Sequence, residues 1–249
     1  MSGRRRNSHF QCQQFTIEQS DCAMKVTTDA SVFGAFVPVE NAKTILDIGA
    51  GTGILSLFAA QRSLATIDAI EIEPNAAQQA TLNAKNSPWP ERINVITNDV
   101  RDYANQCPTR YDVIITNPPF FTESTQNPDT QKSLARHNAH FPLHDLLGVI
   151  QQLLATQGTA WILLPLKEAN SCISRAANFG LTLKRHVLIR TSKQHSPHVA
   201  MIALEHQQID NQNIAEVPTE IFTVYTQHPY LSNESAALFR DYYTKIKQA

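Results

Sequence analysis

No apolar run in the 249-residue chain approaches the roughly 20 residues that a helix needs to cross a bilayer, so no membrane association is expected. The start, Met1-Ser2-Gly3-Arg4-Arg5-Arg6, lacks the apolar core of a secretory signal, which points to the cytoplasm. Cysteine is scarce: Cys12, Cys22, Cys107 and Cys172 are scattered without a Cys-x-x-Cys pair, which argues against a zinc site and against a disulfide framework. No metal is expected. Internal repeats, low-complexity tracts and a composition break that would mark a domain boundary are all missing, and the length fits one α/β unit with some decoration. The sequence sets no oligomeric state and is compatible with a monomer.

Net charge is nearly absent too, at −1, which by itself speaks against a nucleic-acid partner. Its distribution speaks the other way. Residues 18–131 carry 14 Asp/Glu against 7 Lys/Arg, whereas residues 132–200 carry 8 Lys/Arg against 2 Asp/Glu and hold 6 of the 9 histidines. With Arg4, Arg5 and Arg6 added at the start, this asymmetry can gather a basic face on one side of an acidic body. The candidate phosphate contacts are Arg4, Arg5, Arg6, Arg136, Lys184, Arg185, Arg190 and Lys193.

What is present is a run of short apolar segments alternating with helix-length pieces. Strands are expected near 44–48, 66–72, 93–96, 111–116, 158–164, 182–189 and 198–205, and helices near 54–62, 75–86, 100–105, 143–155 and 168–179. That alternation implies a parallel, doubly wound sheet with both faces covered. The last two strands are joined by only a short polar segment, Arg190 to His198, so they should pair antiparallel. Three blocks result: an amino-terminal extension and lid region at 1–43, a catalytic core at 44–205 and a carboxy-terminal extension at 206–249, in which Ser232 to Ile246 reads as an amphipathic helix.

Two motifs carry the chemistry. After the apolar run Thr44 to Ile48 comes Gly49-Ala50-Gly51-Thr52-Gly53, where glycines let the backbone turn tightly and approach a nucleotide closely. The spacing is G-x-G-x-G with Asp47 before it, not the dinucleotide fingerprint G-x-G-x-x-G, which favours S-adenosylmethionine over a nicotinamide cofactor. Acidic residues then end successive strands. Glu71, with Glu73 as the fallback, is placed to take the ribose hydroxyls, and Asp99, followed by Val100, to accept from the adenine amine.

The second motif is Asn117-Pro118-Pro119-Phe120, directly after the strand Tyr111 to Thr116. It resembles the catalytic motif of S-adenosylmethionine-dependent methyltransferases that modify a planar amino group. The lone pair of an exocyclic amine is delocalised. An Asn side-chain carbonyl and the first proline's backbone carbonyl, held rigidly, can accept from that amine and draw its nitrogen toward sp3 geometry. Two prolines set the acceptors in place before substrate arrives, and Phe120 would stack on the flat substrate.

Nearly the whole chain resembles the tRNA1(Val) adenine-N6 methyltransferase family, which modifies the adenosine on the 3′ side of the anticodon, position 37. The features that carry the resemblance are Gln14 to Ile17, Cys22 to Val26 with Thr28 and Asp29, Leu46 to Gly53, Glu71, Asn117 to Phe120, Ala135-Arg136, and Phe222 to Tyr225. It implies a Rossmann-like α/β fold with seven strands in the order 3-2-1-4-5-7-6, strand 7 antiparallel, and tRNA as partner. It also implies that Lys25, Thr28, Asp47, Gly49, Gly51, Thr52, Gly53, Glu71, Asp99, Val100 and Asn117 border the cofactor. Family members usually have Gly at the position of Thr27, so the turn before Thr28 is expected to differ. Thr28 or Asp29 is expected either to cap the following helix or to close over the cofactor.

Rival readings remain at this point. A release-factor glutamine N5-methyltransferase uses the same Asn-Pro-Pro-aromatic motif but normally carries a helical amino-terminal domain. Ribosomal guanine-N2 methyltransferases share Asn-Pro-Pro-Phe, with a duplicated domain in the closest type, and DNA adenine methyltransferases usually need extra target-recognition mass. A non-catalytic RNA-binding module that kept the pocket is disfavoured by the intact Asp47 and Asn117.

Overall fold

The computed structural model describes residues 8–19, 25–118, 141–207 and 216–248. A small hairpin, β1 (His9–Gln11) and β2 (Thr16–Glu18), precedes helix α1 (Thr28–Phe36). Then follow β3 (Thr44–Ile48), α2 (Ile54–Arg62), β4 (Thr66–Glu71), α3 (Pro74–Lys85), β5 (Ile93–Thr97), α4 (Val100–Gln106) and β6 (Tyr111–Thr116). The second half contains α5 (Leu143–Leu153), β7 (Leu154–Pro165), α6 (Leu166–Ala176), β8 (Leu181–Arg190), β9 (Val199–His206), β10 (Thr219–Thr223), β11 (Tyr225–Gln227), β12 (Tyr230–Leu231) and α7 (Asn233–Leu238).

The main sheet runs β5-β4-β3-β6-β7-β9-β8-β10. Its first seven strands reproduce the order expected from the family resemblance, and β9 is antiparallel to both β7 and β8. The strand count differs: an eighth strand, β10, pairs parallel with β8 on the edge, Phe222 facing Ile189. Its segment is only five residues long and mostly exposed, so it shows no continuous apolar run. Edge strands read weakly for that reason.

Helices cover both faces because each strand buries side chains both ways. On one face α1 and α2 pack with the β1–β2 hairpin and α7 over Ile45, Ile67, Val113, Trp161 and Leu163. On the other, α4, α5 and α6 cover Leu46, Ile48, Ile114, Ile162 and Leu164. In α5 the buried residues are Leu146, Leu147, Val149, Ile150 and Leu153, a stripe at helical spacing in which each large side chain contributes about 1.5–3 kcal/mol of burial. Among the described residues no helix is long and apolar enough to cross a membrane.

Two local expectations are corrected. The residue that caps α1 is Thr27, whose side chain accepts from the Ala30 amide, and Thr28 is the first helical residue. The carboxy-terminal helix ends at Leu238 instead of reaching Ile246. Beyond it, the carbonyls of Arg240 and Tyr243 accept from the Gln13 side-chain amide, and that of Asp241 accepts from Gln61. Tyr242 stacks on Phe58 at 4.2 Å between ring centroids and donates to the Phe58 carbonyl. These tertiary partners satisfy the backbone in place of helical bonds.

Candidate active site

The order of the sheet turns back at β3, which has β4 on one side and β6 on the other. A crevice opens beyond the carboxyl ends of such strands. Ile48 pairs with both Ile70 and Thr116, so the glycine loop and Asn117 leave adjacent strands at the same level. The Thr116 hydroxyl donates to the Ile48 carbonyl at 2.8 Å in a buried bond. Asn117 is half-buried and Pro118 buried. Pro119 and Phe120 lie outside the described residues, as do Arg4, Arg5, Arg6 and Arg136.

The loop itself is held from below. The amides of Gly49 and Ala50 both donate to the Ile70 carbonyl, at 2.9 and 3.0 Å. Gly49, Gly51 and Gly53 have φ of 71°, 55° and 80°, left-handed conformations that disfavour a Cβ. A Cβ on Gly49 or Gly51 would meet nothing within 4 Å, so both face open space where a ligand can approach the backbone. Thr52 is buried, and its carbonyl accepts from the Asn83 side chain at 2.9 Å.

The carboxylates divide by role. Glu71 accepts from the Gly51 amide at 2.8 Å and from the Glu73 amide at 2.9 Å, which fixes it beside the loop. Glu73 instead caps α3, taking the Asn75 and Ala76 amides. Asp47 is fully buried; one of its oxygens accepts from the Ser56 hydroxyl at 2.7 Å and the Ser56 amide at 3.1 Å, and the other has no partner. Burial pushes the Asp47 carboxyl up to about 7, against the two Ser56 bonds and with the help of the neighbouring Glu71 charge. An unpartnered buried carboxylate oxygen and a second carboxylate next to an open glycine loop suit a ligand with cationic groups and ribose hydroxyls.

Asp99 caps α4 by accepting from the Arg101 amide at 2.8 Å, and its carboxylate also holds the Arg101 guanidinium. Val100, the first residue of α4, is buried. Lys25 is exposed and Thr28 opens α1. Next to it, Asp29 lies 3.1 Å from His198 Nε2, which ties α1 to the start of β9. Sequence reading missed this pair, since 169 positions separate the partners.

The basic residues of the second half do not form one surface. Thr116, Ile162, Ile202 and His186 share one row across the sheet. Arg190 therefore stands three residues, about 10 Å, beyond the level of Asn117, at the base of a hairpin that carries the exposed Lys193. Lys184 and Arg185 sit below that level and are already engaged. Lys184 pairs with Glu205 at 2.8 Å, and Arg185 makes a two-pronged bond to Glu220 at 2.7 and 2.8 Å while lying 4.7 Å from the Phe36 ring. Among the described residues no group of three or more His, Cys, Asp or Glu side chains is arranged to hold a metal.

Comparison with known proteins agrees with this geometry. A family profile described as "Methyltransferase small domain" matches residues 22–159. The tRNA1(Val) (adenine(37)-N6)-methyltransferase of Bacteroides fragilis is 38% identical over 95% of this chain and 98% of its own length. The protein of the same name from Cytophaga hutchinsonii is 47% identical over 72% of this chain and 76% of its own. Among solved structures, a predicted O-methyltransferase from Agrobacterium tumefaciens superposes with a TM-score of 0.65, covering 89% of this chain and all of that one at 16% identity, which is a likeness of fold. The chain belongs to the tRNA1(Val) (adenine(37)-N6)-methyltransferase family.

Proposed function

We propose that this protein transfers a methyl group from S-adenosylmethionine to the N6 amine of adenosine 37 of tRNA1(Val), in the cytoplasm. The observation that carries the reading is the pairing of Ile48 with Thr116, which sets Asn117 beside the open glycine loop. When bound, the cofactor supplies an electrophilic methyl on a sulfonium. The residues that would hold it are Gly49, Gly51, Thr52 and Gly53 along its length, Glu71 at the ribose, Asp99 and Val100 at the adenine, and Asp47 toward the cationic methionine end, with Lys25 and Thr28 at the lid.

On the substrate side, the Asn117 side-chain carbonyl and the Pro118 backbone carbonyl accept from the adenine amine. The paired prolines restrict the backbone, which would fix both acceptors before substrate arrives and leave little reorganisation to be done. Phe120 gives the extruded base a stacking surface. Arg190 and Lys193, on the β8–β9 hairpin at the same end of the sheet as Asn117, contact phosphates, with Arg4, Arg5, Arg6 and Arg136 as further contacts. The partner is tRNA, and the reading needs neither a metal nor a second subunit.

The test uses tRNA1(Val) transcripts with adenosine or guanosine at position 37. One methyl group per adenosine-37 transcript, recovered as N6-methyladenosine after digestion, and none on the guanosine form is the expected result. Transfer to a release-factor glutamine, or to guanosine, would overturn it.

A further inference from the structure

Both oxygens of the Asp99 carboxylate are engaged by a single residue, Arg101. Its Oδ1 accepts from the Arg101 amide at 2.8 Å and from Arg101 Nε at 3.0 Å, and its Oδ2 accepts from Nη2 at 2.6 Å and Nε at 3.2 Å. Three N–H groups, with that of Nε shared between the two oxygens, thus lie on a carboxylate that offers about four lone-pair positions, and the guanidinium spans both oxygens, so an incoming amine meets Asp99 in competition with it. The amide bond stays, because it is the amino-terminal cap of α4. The guanidinium already has somewhere to go: Arg101 Nη1 donates to Asp145, in the first turn of α5, at 3.1 Å. The Arg101 side chain is 45% exposed, which leaves it room to turn.

We propose that Arg101 competes with the adenine amine of the cofactor for Asp99, and that Asp145 takes over the guanidinium when adenine binds. Arg101 then sets both how tightly and how selectively the adenine end is held. The inference rests on Asp99 being the adenine acceptor. The guanidinium also holds the Asp99 carboxyl below its usual range, as expected of a close partner. Selectivity follows from donor count. A guanidinium only donates, so Arg101 disfavours the 6-amino group and is able to serve a 6-oxo group in its place.

Calorimetry with S-adenosylhomocysteine and its deaminated analogue S-inosylhomocysteine tests this on the full chain. Arg101→Met removes the competitor and keeps a good helix former. It should tighten S-adenosylhomocysteine by about two- to fivefold, the range of a partly exposed ion pair, and loosen the inosyl analogue, raising the ratio between the two ligands. Asp145→Asn should loosen S-adenosylhomocysteine by a similar factor, and should have no effect in an Arg101→Met background. Asp99→Ser, which keeps a capping oxygen, should loosen S-adenosylhomocysteine and abolish the preference for the amine. If Arg101→Met leaves S-adenosylhomocysteine unchanged or loosened while Asp99→Ser loosens it, the adenine site stands and the competition is wrong. If Asp99→Ser changes neither affinity nor preference, the adenine role of Asp99 falls and the proposal with it.

Discussion

The Thr116 hydroxyl donates to the Ile48 carbonyl across the β6–β3 boundary at 2.8 Å, one residue before Asn117 on one strand and one residue before Gly49 on the other. This bond locks together the two strand ends that, in the proposed reading, hold the methyl donor and the acceptor amine. Thr116→Val keeps the shape and removes the donor. The cost should be about 1–3 kcal/mol of stability if the Ile48 carbonyl is left unpaired, read by urea unfolding. Turnover should fall more than cofactor affinity, because the register between the two sides loosens.

Asn117→Ala should lower turnover by about a hundredfold or more, the scale on which one preorganised polar contact acts, with S-adenosylhomocysteine affinity retained. Asn117→Asp keeps an acceptor and should retain partial activity. An alanine variant with normal turnover in a single-turnover methyl-transfer assay would remove Asn117 from the chemistry.

If Asp47 faces the cationic end of the cofactor as proposed, its raised carboxyl should make cofactor binding pH-dependent. Above about 7 the group is ionised and attracts a cationic ligand; below it the group is protonated and that attraction is lost. Affinity for S-adenosylmethionine should therefore rise from pH 6 to pH 8, with proton release on binding at pH 6. Asp47→Asn should flatten the profile. For stability the sign is opposite: a carboxyl raised on folding destabilises the native state as pH climbs from 3.8 to about 7. Thermal unfolding of wild type and Asp47→Asn across that window checks it, the difference between them closing at low pH.

Gly51→Ala puts a Cβ on a residue at φ 55° whose amide donates to Glu71. The left-handed conformation costs about 1–2 kcal/mol for a side chain, and the added methyl occupies the open space above the loop. Cofactor affinity should drop further than the melting temperature accounts for. A variant that binds S-adenosylhomocysteine normally would show that the ligand does not approach there.

The basic residues should separate by position. Neutralising Arg190 and Lys193 together should weaken tRNA binding and reduce the slope of affinity against salt. Changing Lys184 or Arg185 to alanine should leave that slope nearly intact, since Glu205 and Glu220 already neutralise them. Filter binding at several salt concentrations distinguishes the two pairs.

The sequence by itself determined the parts of this protein that short-range physics dictates. Glycines at 49, 51 and 53 force a tight turn after an apolar strand, and paired prolines after Asn117 end another. Apolar runs of five or six residues between helical stretches leave few arrangements other than a parallel sheet with both faces covered. The tertiary structure decided everything that depends on partners distant in the chain. It assigned Glu71 to the loop and Glu73 to a helix cap, because only folding shows which amides each carboxylate meets. It added β10 to the edge of the sheet and stopped the last helix at Leu238, where side-chain amides from Gln13 and Gln61 take over the backbone carbonyls. It joined Asp29 to His198 and Arg101 to Asp145, and it neutralised Lys184 and Arg185. Backbone conformation is set by neighbours a few bonds away, whereas the charge state and partners of a side chain are set by whichever surfaces the fold brings together.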